Sequence, residues 1–178
     1  MNVVAIIQAR LESIRLPNKV MKLIGEYPMI ELLIKRLNKS KEISKIVIAT
    51  SKNSINEPLI RHVRKLGFAC EVGSEDDVLD RYFQVAKKYS ADAVVRITGD
   101  CPLIDPSIVD NIIKEFKTQE VDYISNTLKP TYPDGLDTEV FTFASLKRAH
   151  KESCEIFERE HVTPYIKQSK LFKIKEYQ

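Results

Sequence analysis

The residues of this chain that could do chemistry are gathered into a few short polar clusters. The first runs Ala9-Arg10-Leu11-Glu12-Ser13-Ile14-Arg15-Leu16-Pro17-Asn18-Lys19 and places three cations, Arg10, Arg15 and Lys19, within ten residues. A loop of this kind can aim cations and free backbone N–H groups at one spot, as a polyphosphate requires. A solvated basic loop is the plain alternative. The second is Gly99-Asp100-Cys101-Pro102-Leu103-Ile104-Asp105. A carboxylate directly after a buried strand suits a hard cation such as Mg²⁺, which keeps its waters and takes few protein ligands. Asp100 has no cation beside it in sequence, so a bound metal is its expected counter-charge. Asp105, just ahead of Pro106, reads instead as a helix N-cap.

Three further clusters are less specific. In Pro133-Asp134-Gly135-Leu136-Asp137-Thr138-Glu139 the Asp134-Gly135 pair is an ordinary turn signal, while Asp137 at a strand entrance could meet the Asp100 region as a second metal ligand. In Gly73-Ser74-Glu75-Asp76-Asp77-Val78-Leu79-Asp80-Arg81 the acidic residues fit the first turn of a helix. Asp80 and Arg81 there either pair with each other or face a ligand, and spacing does not choose between these. Glu158-Arg159-Glu160-His161-Val162-Thr163-Pro164-Tyr165 is dense in charge, yet nothing in its spacing demands catalysis.

Several chemistries are excluded. GxGxxG and GK[ST] are both missing, which argues against Rossmann dinucleotide binding and Walker-type hydrolysis. The three histidines have no HExxH spacing, and three scattered cysteines make neither a disulfide framework nor paired zinc ligands. They read as reduced thiols of a cytoplasmic protein. With 28 Lys and Arg against 25 Asp and Glu, the net charge of +3 gives no long-range field for gripping nucleic acid. No apolar run approaches the ~20 residues of a membrane span. The opening residues lack a basic segment ahead of their apolar run, so they read as a buried strand rather than a leader.

The elements that must position these clusters alternate along the chain. Apolar or β-rich runs at Val3 to Ile7, Lys45 to Ala49, Phe68 to Val72, Ala93 to Ile97, Val121 to Ser125, Glu139 to Phe143 and Leu171 to Tyr177 read as strands. Helical stripes fall at Pro28 to Leu37, Leu59 to Leu66, Asp76 to Tyr89 and Pro106 to Phe116, and two short helices are expected after the strand at Glu139. Buried strands separated by helices mean a mostly parallel α/β sheet covered on both faces, with ligands at the carboxyl ends of its strands. With 178 residues, few glycines and no repeat, the chain reads as one domain spanning 1–178.

Taken together, the motifs resemble the cytidylyltransferases that activate acidic sugars, most closely the spore-coat polysaccharide branch. The likeness covers nearly the whole chain and rests on Ala-Arg-x-x-Ser-x-Arg-Leu-Pro-x-Lys at Ala9 to Lys19, Gly-Asp-x-Pro-Leu-Ile at Gly99 to Ile104, the stretch Asp134 to Phe141, and the stretch Glu158 to Tyr165. It implies a three-layer α/β/α Rossmann-like sheet of the nucleotide-diphosphosugar transferase type. By resemblance, Arg10, Ser13 and Lys19 hold the nucleoside triphosphate with Arg15 as helper, Thr50 and Ser51 approach the base, and Asp100 holds Mg²⁺ with Asp137 as second ligand. Asp80, Arg81, Asp134 and Asp137 are the expected substrate contacts. The implied reaction is attack of a sugar hydroxyl or sugar phosphate on the α-phosphorus of CTP, with pyrophosphate leaving.

Two departures qualify this. Ser74 to Arg81 differs from the Ser-Gly-Thr-Asp-Arg loop of the keto-deoxyoctulosonate enzymes, so their sugar specificity does not transfer. The chain also ends soon after Tyr165, where relatives usually continue, so a catalytically inactive nucleotide-binding domain is one alternative. A glycosyltransferase of related fold is another, but such enzymes usually carry Asp-x-Asp where this chain has Asp100-Cys101-Pro102. The oligomeric state, a homodimer included, is open.

Overall fold

Five consecutive apolar residues, Val3 to Ile7, point alternately to opposite faces of a strand, so both faces must be covered. The computed structural model describes residues 1–13, 16–129 and 131–178. Its strands in chain order are β1 (Val3–Gln8), β2 (Leu23–Ile24), β3 (Tyr27–Pro28), β4 (Lys45–Ser51), β5 (Ala69–Gly73), β6 (Ala93–Thr98), β7 (Tyr123–Ser125), β8 (Glu139–Thr142) and β9 (Ile174–Glu176). The α-helices are α1 (Met29–Leu37), α2 (Glu57–Lys65), α3 (Val78–Lys88), α4 (Pro106–Thr118), α5 (Phe143–Glu152), α6 (Ile156–His161) and α7 (Pro164–Gln168).

Seven strands form one sheet in the order β5-β4-β1-β6-β8-β7-β9. β1 pairs in parallel with both β4 and β6, β4 with β5, and β7 with β9. β8 lies antiparallel between β6 and β7. The chain returns from β7 to β8 without a crossover helix, and an antiparallel neighbour is what such a return gives. The sheet is mostly parallel, as the buried runs predict.

Alternation within β1 divides the core into two layers. Val3, Ala5 and Ile7 pack with Leu33, Leu59, Ile112 and Phe116 from α1, α2 and α4 on one face. Val4 and Ile6 pack with Leu79, Tyr82, Leu146 and Ile166 from α3, α5 and α7 on the other. Each such side chain fully removed from water contributes about 1.5–3 kcal/mol of transfer free energy. Asp105 caps α4, its carboxylate accepting from the backbone N–H of Ser107 at 2.7 Å, with Pro106 in the first turn.

Some boundaries differ from the sequence reading. The polar loop after β1 continues into the β2–β3 hairpin, turned by Gly25 at φ 60°, a conformation that glycine adopts without strain. Three helices rather than two follow β8, and α5 runs ten residues. The strands read at Val121 to Ser125 and Leu171 to Tyr177 shorten to the three-residue stretches that actually pair, Tyr123–Ser125 against Ile174–Glu176.

The approach of the two central strand ends depends on Gly99. Its N–H donates to the Gln8 carbonyl at 2.9 Å, and a Cβ built on it would stand 2.8 Å from that same oxygen and 3.0 Å from Ala9 Cβ. Backbone cannot yield as a flexible side chain can. Gly99→Ala is therefore expected to cost about 1–3 kcal/mol by overpacking. A thermal melt followed by circular dichroism should show a loss of several degrees, and an unchanged Tm would mean that the loop after β6 moves freely.

Candidate active site

Gln8 and Thr98 are register partners at the ends of β1 and β6, so the loops that follow them start side by side. The loop after β1 is pinned on the β4 side. Ala9 N–H donates to the Ala49 carbonyl at 3.2 Å, and Leu11 N–H donates to Asn56 Oδ1 at 2.8 Å. Asn56, fully buried, donates in turn to Ser51 Oγ at 2.8 Å. Asn53 Nδ2 donates to Glu12 Oε1 at 2.5 Å. The loop turns back where Asn18, at φ 58°, donates its N–H to the Leu11 carbonyl at 3.0 Å. Asparagine tolerates that left-handed conformation better than most residues.

This turn delivers Lys19 to the β6 loop, where its Nζ lies 2.8 Å from Asp100 Oδ2. Asp100 therefore has a cationic partner, one that lies 81 positions away in sequence. That corrects the expectation that a metal must be its counter-charge. Burial pushes the Asp100 carboxyl up, but the bonds from Lys19 and Thr98 and the Lys19 charge hold it below the usual aspartate value.

Asp137 reaches the same edge from the opposite direction. Arg96 on β6 pairs with Glu139, the first residue of β8, so Asp137, two residues earlier, approaches from the side of the loop after β6. Burial raises the Asp137 carboxyl, and the negative charges of Asp134, Glu139 and Asp100 add to the effect. Asp137 thus feels both Asp134 and Asp100, but it is exposed and, like Asp134, lines neither of the cavities at this edge.

Two adjoining cavities, of about 480 and 380 Å³, open at this edge and share Gln8, Ala9, Arg10, Asp100 and His161. The smaller adds Ser13, Lys19 and Thr98. The larger adds Glu75, Asp76, Val78 and Arg81. Arg10 is exposed between them and has no carboxylate partner among the described residues. Arg10, Ser13, Lys19 and Asp100 are thus brought together as the sequence predicts. Arg15 lies outside the described residues.

Other expected residues fall elsewhere. Thr50 and Ser51 are fully buried and line neither cavity. Ser51 is a strut beneath Asn56, which corrects the expectation that this strand end meets a base. Asp80 does not pair with Arg81; it accepts from Gln84 Nε2 at 3.0 Å and lies 2.9 Å from His150 Nε2, on a face of α3 turned away from the cavities. The expectation of a substrate contact is corrected for Asp80, whereas Arg81 does line the larger cavity. Asp134 is exposed, and its charge reaches Asp137.

A family model described as Cytidylyltransferase matches residues 4–177. The chain belongs to the cytidylyltransferase family. The spore coat polysaccharide biosynthesis protein SpsF of Bacillus subtilis is 34% identical to it over 171 residues, 93% of this chain and 70% of that protein. A 3-deoxy-manno-octulosonate cytidylyltransferase of Geobacter sulfurreducens is 35% identical over 115 residues, 64% of this chain and 44% of that protein. The solved structure of a cytidylyltransferase from Leptospira borgpetersenii superposes with a TM-score of 0.95 at 34% identity, over 99% of this chain and 76% of that one.

Three features of the site escape a reading of motifs alone. His161 lines both cavities, although nothing in the spacing of its cluster demands catalysis. Arg159 from the same helix donates through Nε to Asp77 Oδ2 at 3.0 Å, clamping α6 to the start of α3. Beneath the cleft, Arg96 Nη1 meets Glu139 Oε2 at 2.5 Å and Arg96 Nη2 donates to Gln8 Oε1 at 3.2 Å. Glu139 also accepts from Tyr123 OH at 2.6 Å and Thr163 Oγ1 at 2.8 Å. An arginine inside the apolar run Ala93 to Ile97 was the available signal.

Burial alone would raise the Glu139 carboxyl, but Arg96, Lys167 and the two hydroxyls hold it low. Its contribution to stability is therefore in place above the ordinary carboxylate range and is lost as pH falls through the depressed folded value. Arg96→Met leaves that buried charge with only the Lys167 ammonium, 3.5 Å away, as a cationic partner, and should cost about 3–5 kcal/mol near neutral pH. In the variant the carboxyl is raised instead, so the deficit relative to wild type should shrink on acidification. Urea titrations at a series of pH values check this, and a deficit that stays constant would remove Glu139 as the cause.

Proposed function

We propose that this chain transfers a cytidylyl group from CTP to a sugar acceptor and releases pyrophosphate. The observation that carries the reading is the convergence of Arg10, Ser13, Lys19 and Asp100 in one cleft at the carboxyl ends of β1 and β6. Membership of the cytidylyltransferase family supports CTP as the donor. The relatives named for spore coat polysaccharide and for 3-deoxy-manno-octulosonate support an acidic sugar or sugar phosphate as the acceptor, activated for surface polysaccharide synthesis.

The phosphoryl centre needs little covalent help from the protein, so positioning and charge neutralisation dominate. An acceptor oxygen attacks the α-phosphorus in line; a P–O bond forms to it while the bond to the β-phosphate oxygen breaks. In this proposal Arg10 and Lys19 offset the charge on the transferred and leaving phosphates, and Ser13 adds a hydroxyl to the same loop. The hydrogen bonds that Leu11 donates to Asn56 and that Glu12 accepts from Asn53 hold that loop before any ligand arrives, which lowers the ordering cost of binding.

A divalent cation fits the residues present. Mg²⁺ is commonly bound through one or two carboxylates with substrate phosphates and water completing its shell. Asp100 and Asp137 provide two carboxylates on arms that approach each other, and the neighbouring carboxylates that add to the raising of Asp137 by desolvation are charges a cation would offset. When bound, Mg²⁺ would act as a Lewis acid on phosphate oxygens. Lys19 already neutralises one oxygen of Asp100, so ordering this carboxylate does not require the ion.

The test is a thermal shift with each nucleoside triphosphate in Mg²⁺, paired with pyrophosphate release over a panel of sugars. CTP should raise the Tm more than ATP does, because a ligand stabilises the state it binds by mass action. Equal shifts with all four nucleotides would sink the cytidylyl reading. Lys19→Ala should fold and lose about 10²–10³ in kcat, by analogy with removal of one preorganised transition-state donor. Asp100→Asn should abolish Mg²⁺-dependent turnover, whereas Asp105→Asn should be mild because asparagine caps a helix about as well as aspartate does.

A further inference from the structure

Among the described residues, positive φ outside glycine occurs at Asn18, Ser90, Val162 and Lys170. Asn18, Ser90 and Lys170 are exposed, whereas Val162 is fully buried and β-branched. A β-branched side chain at positive φ is a steric outlier. Its φ of 71° and ψ of −53° lie close to the rare γ-turn at about +75° and −65°, a strained conformation. The hydrogen bond that defines such a turn is present: Thr163 N–H donates to the His161 carbonyl at 2.8 Å. Strain of this kind persists only where the surroundings over-determine it, and it collects at functional sites. The Val162 side chain belongs to the core layer of Leu79, Tyr82, Leu146 and Ile166. The next residue, Thr163, is tied through its Oγ1 to Glu139.

On the other side of the turn lies α6, none of whose six residues is buried. Ile156 is 83% exposed and Phe157 57%. Burial therefore does not hold this helix in place. Its side-chain tether is Arg159, which donates to Asp77 and, through Nη1, to the His150 carbonyl at 2.7 Å. Its backbone tether is Val162, whose N–H donates to the Glu158 carbonyl at 3.0 Å and closes the last turn. Glu160 and His161, at the end of α6, line the larger cavity, and His161 lines the smaller as well. A relaxed backbone at Val162 would send α6 away from α7 in a different direction and carry these two side chains with it. We propose that Val162 is a positioning residue: packing of its side chain forces the strained turn, and the turn aims the end of α6 into the cleft before any ligand arrives. The strain is then spent on preorganisation, which lowers the cost of binding. The proposal rests on the cleft being where cytidylyl transfer occurs, and adds what holds one wall of it.

The experiment compares wild type, Val162→Ala and Val162→Gly by thermal melts, by pyrophosphate release from CTP well below Tm, and by calorimetric titration with inorganic tripolyphosphate. Both variants lose the buried side chain, and alanine ordinarily gives the more stable protein of the two. At this positive φ the order should reverse, with the glycine variant melting higher. Alanine also drives the backbone away from the strained turn, so kcat/KM should fall about 10²-fold in Val162→Ala, the loss that a misplacement of about 1 Å brings. Val162→Gly, which can keep the native turn, should recover part of that loss. Tripolyphosphate affinity should be unchanged in both, because the loop after β1 is untouched. An alanine variant that melts above the glycine one would overturn the strain. Variants with wild-type kcat/KM would overturn the positioning role and leave Val162 as core packing. Tripolyphosphate binding lost in step with activity would overturn it as well, by showing general damage to the cleft. If neither variant folds, backbone order parameters of the free wild type decide. Those of residues 156–161 should be as high as those of α5, about 0.85 for rigid backbone, and lower values overturn the proposal. A wild type that releases no pyrophosphate from CTP with any sugar brings down the functional reading; the melts and order parameters still judge the turn.

Discussion

Arg96 and Glu139 carry opposite charges into the interior of a sheet, and much of the cleft is arranged around their meeting. Taking both out of water costs several kcal/mol per ion, and close contact with full hydrogen bonding is what offsets it. The required partners come from distant parts of the chain: Gln8 from β1, Tyr123 from β7, and Thr163 and Lys167 from the end of the chain. Each is thereby held in one place. The pair fixes the register of β8 against β6, and that register brings Asp137 towards the loop that carries Asp100.

Above this floor, rigidity comes from neutral hydrogen bonds. Asn56 is the hub, with its carbonyl oxygen on the loop after β1 and its amide on the end of β4. Gly99 completes the approach from the other side, since no side chain fits between the two loops. Cations and carboxylates are then presented on backbone that has little freedom left to lose.

The sheet was legible because its strands are apolar on both faces, a pattern that has few other uses; the triple-cation loop and Asp100 were legible because they follow such strands directly. Pairings across the sheet were not. Nothing local in Lys19 or Asp100 says that they meet, and the neighbours Gly99 and Cys101 suggested an uncompensated carboxylate. Thr50 and Ser51 are ordinary strand-end hydroxyls by type, and their burial depends on Asn56 folding over them. Asp80 and Arg81 are adjacent, but one step along a helix rotates a side chain by about 100°, so they face different surroundings. His161 lies on α6, which Arg159, two residues earlier, ties to Asp77 at the start of α3, a pairing that nothing local in the sequence announces.

The antiparallel placing of β8 has a consequence for how such a site can diversify. Asp100 follows its strand, whereas Asp137 precedes its own, so the two carboxylates sit on arms arriving from opposite directions. The arm that ends in Asp137 belongs to the connection between the close of β7 at Ser125 and the start of β8 at Glu139. Lengthening or recasting that segment alters what stands opposite Asp100 without touching the loops that bear Lys19 and Arg10. On the proposed function, descendants of one such scaffold that keep Asp137 can exchange acceptors while inheriting the same phosphate-facing loop, the two halves of the cleft drifting at separate rates.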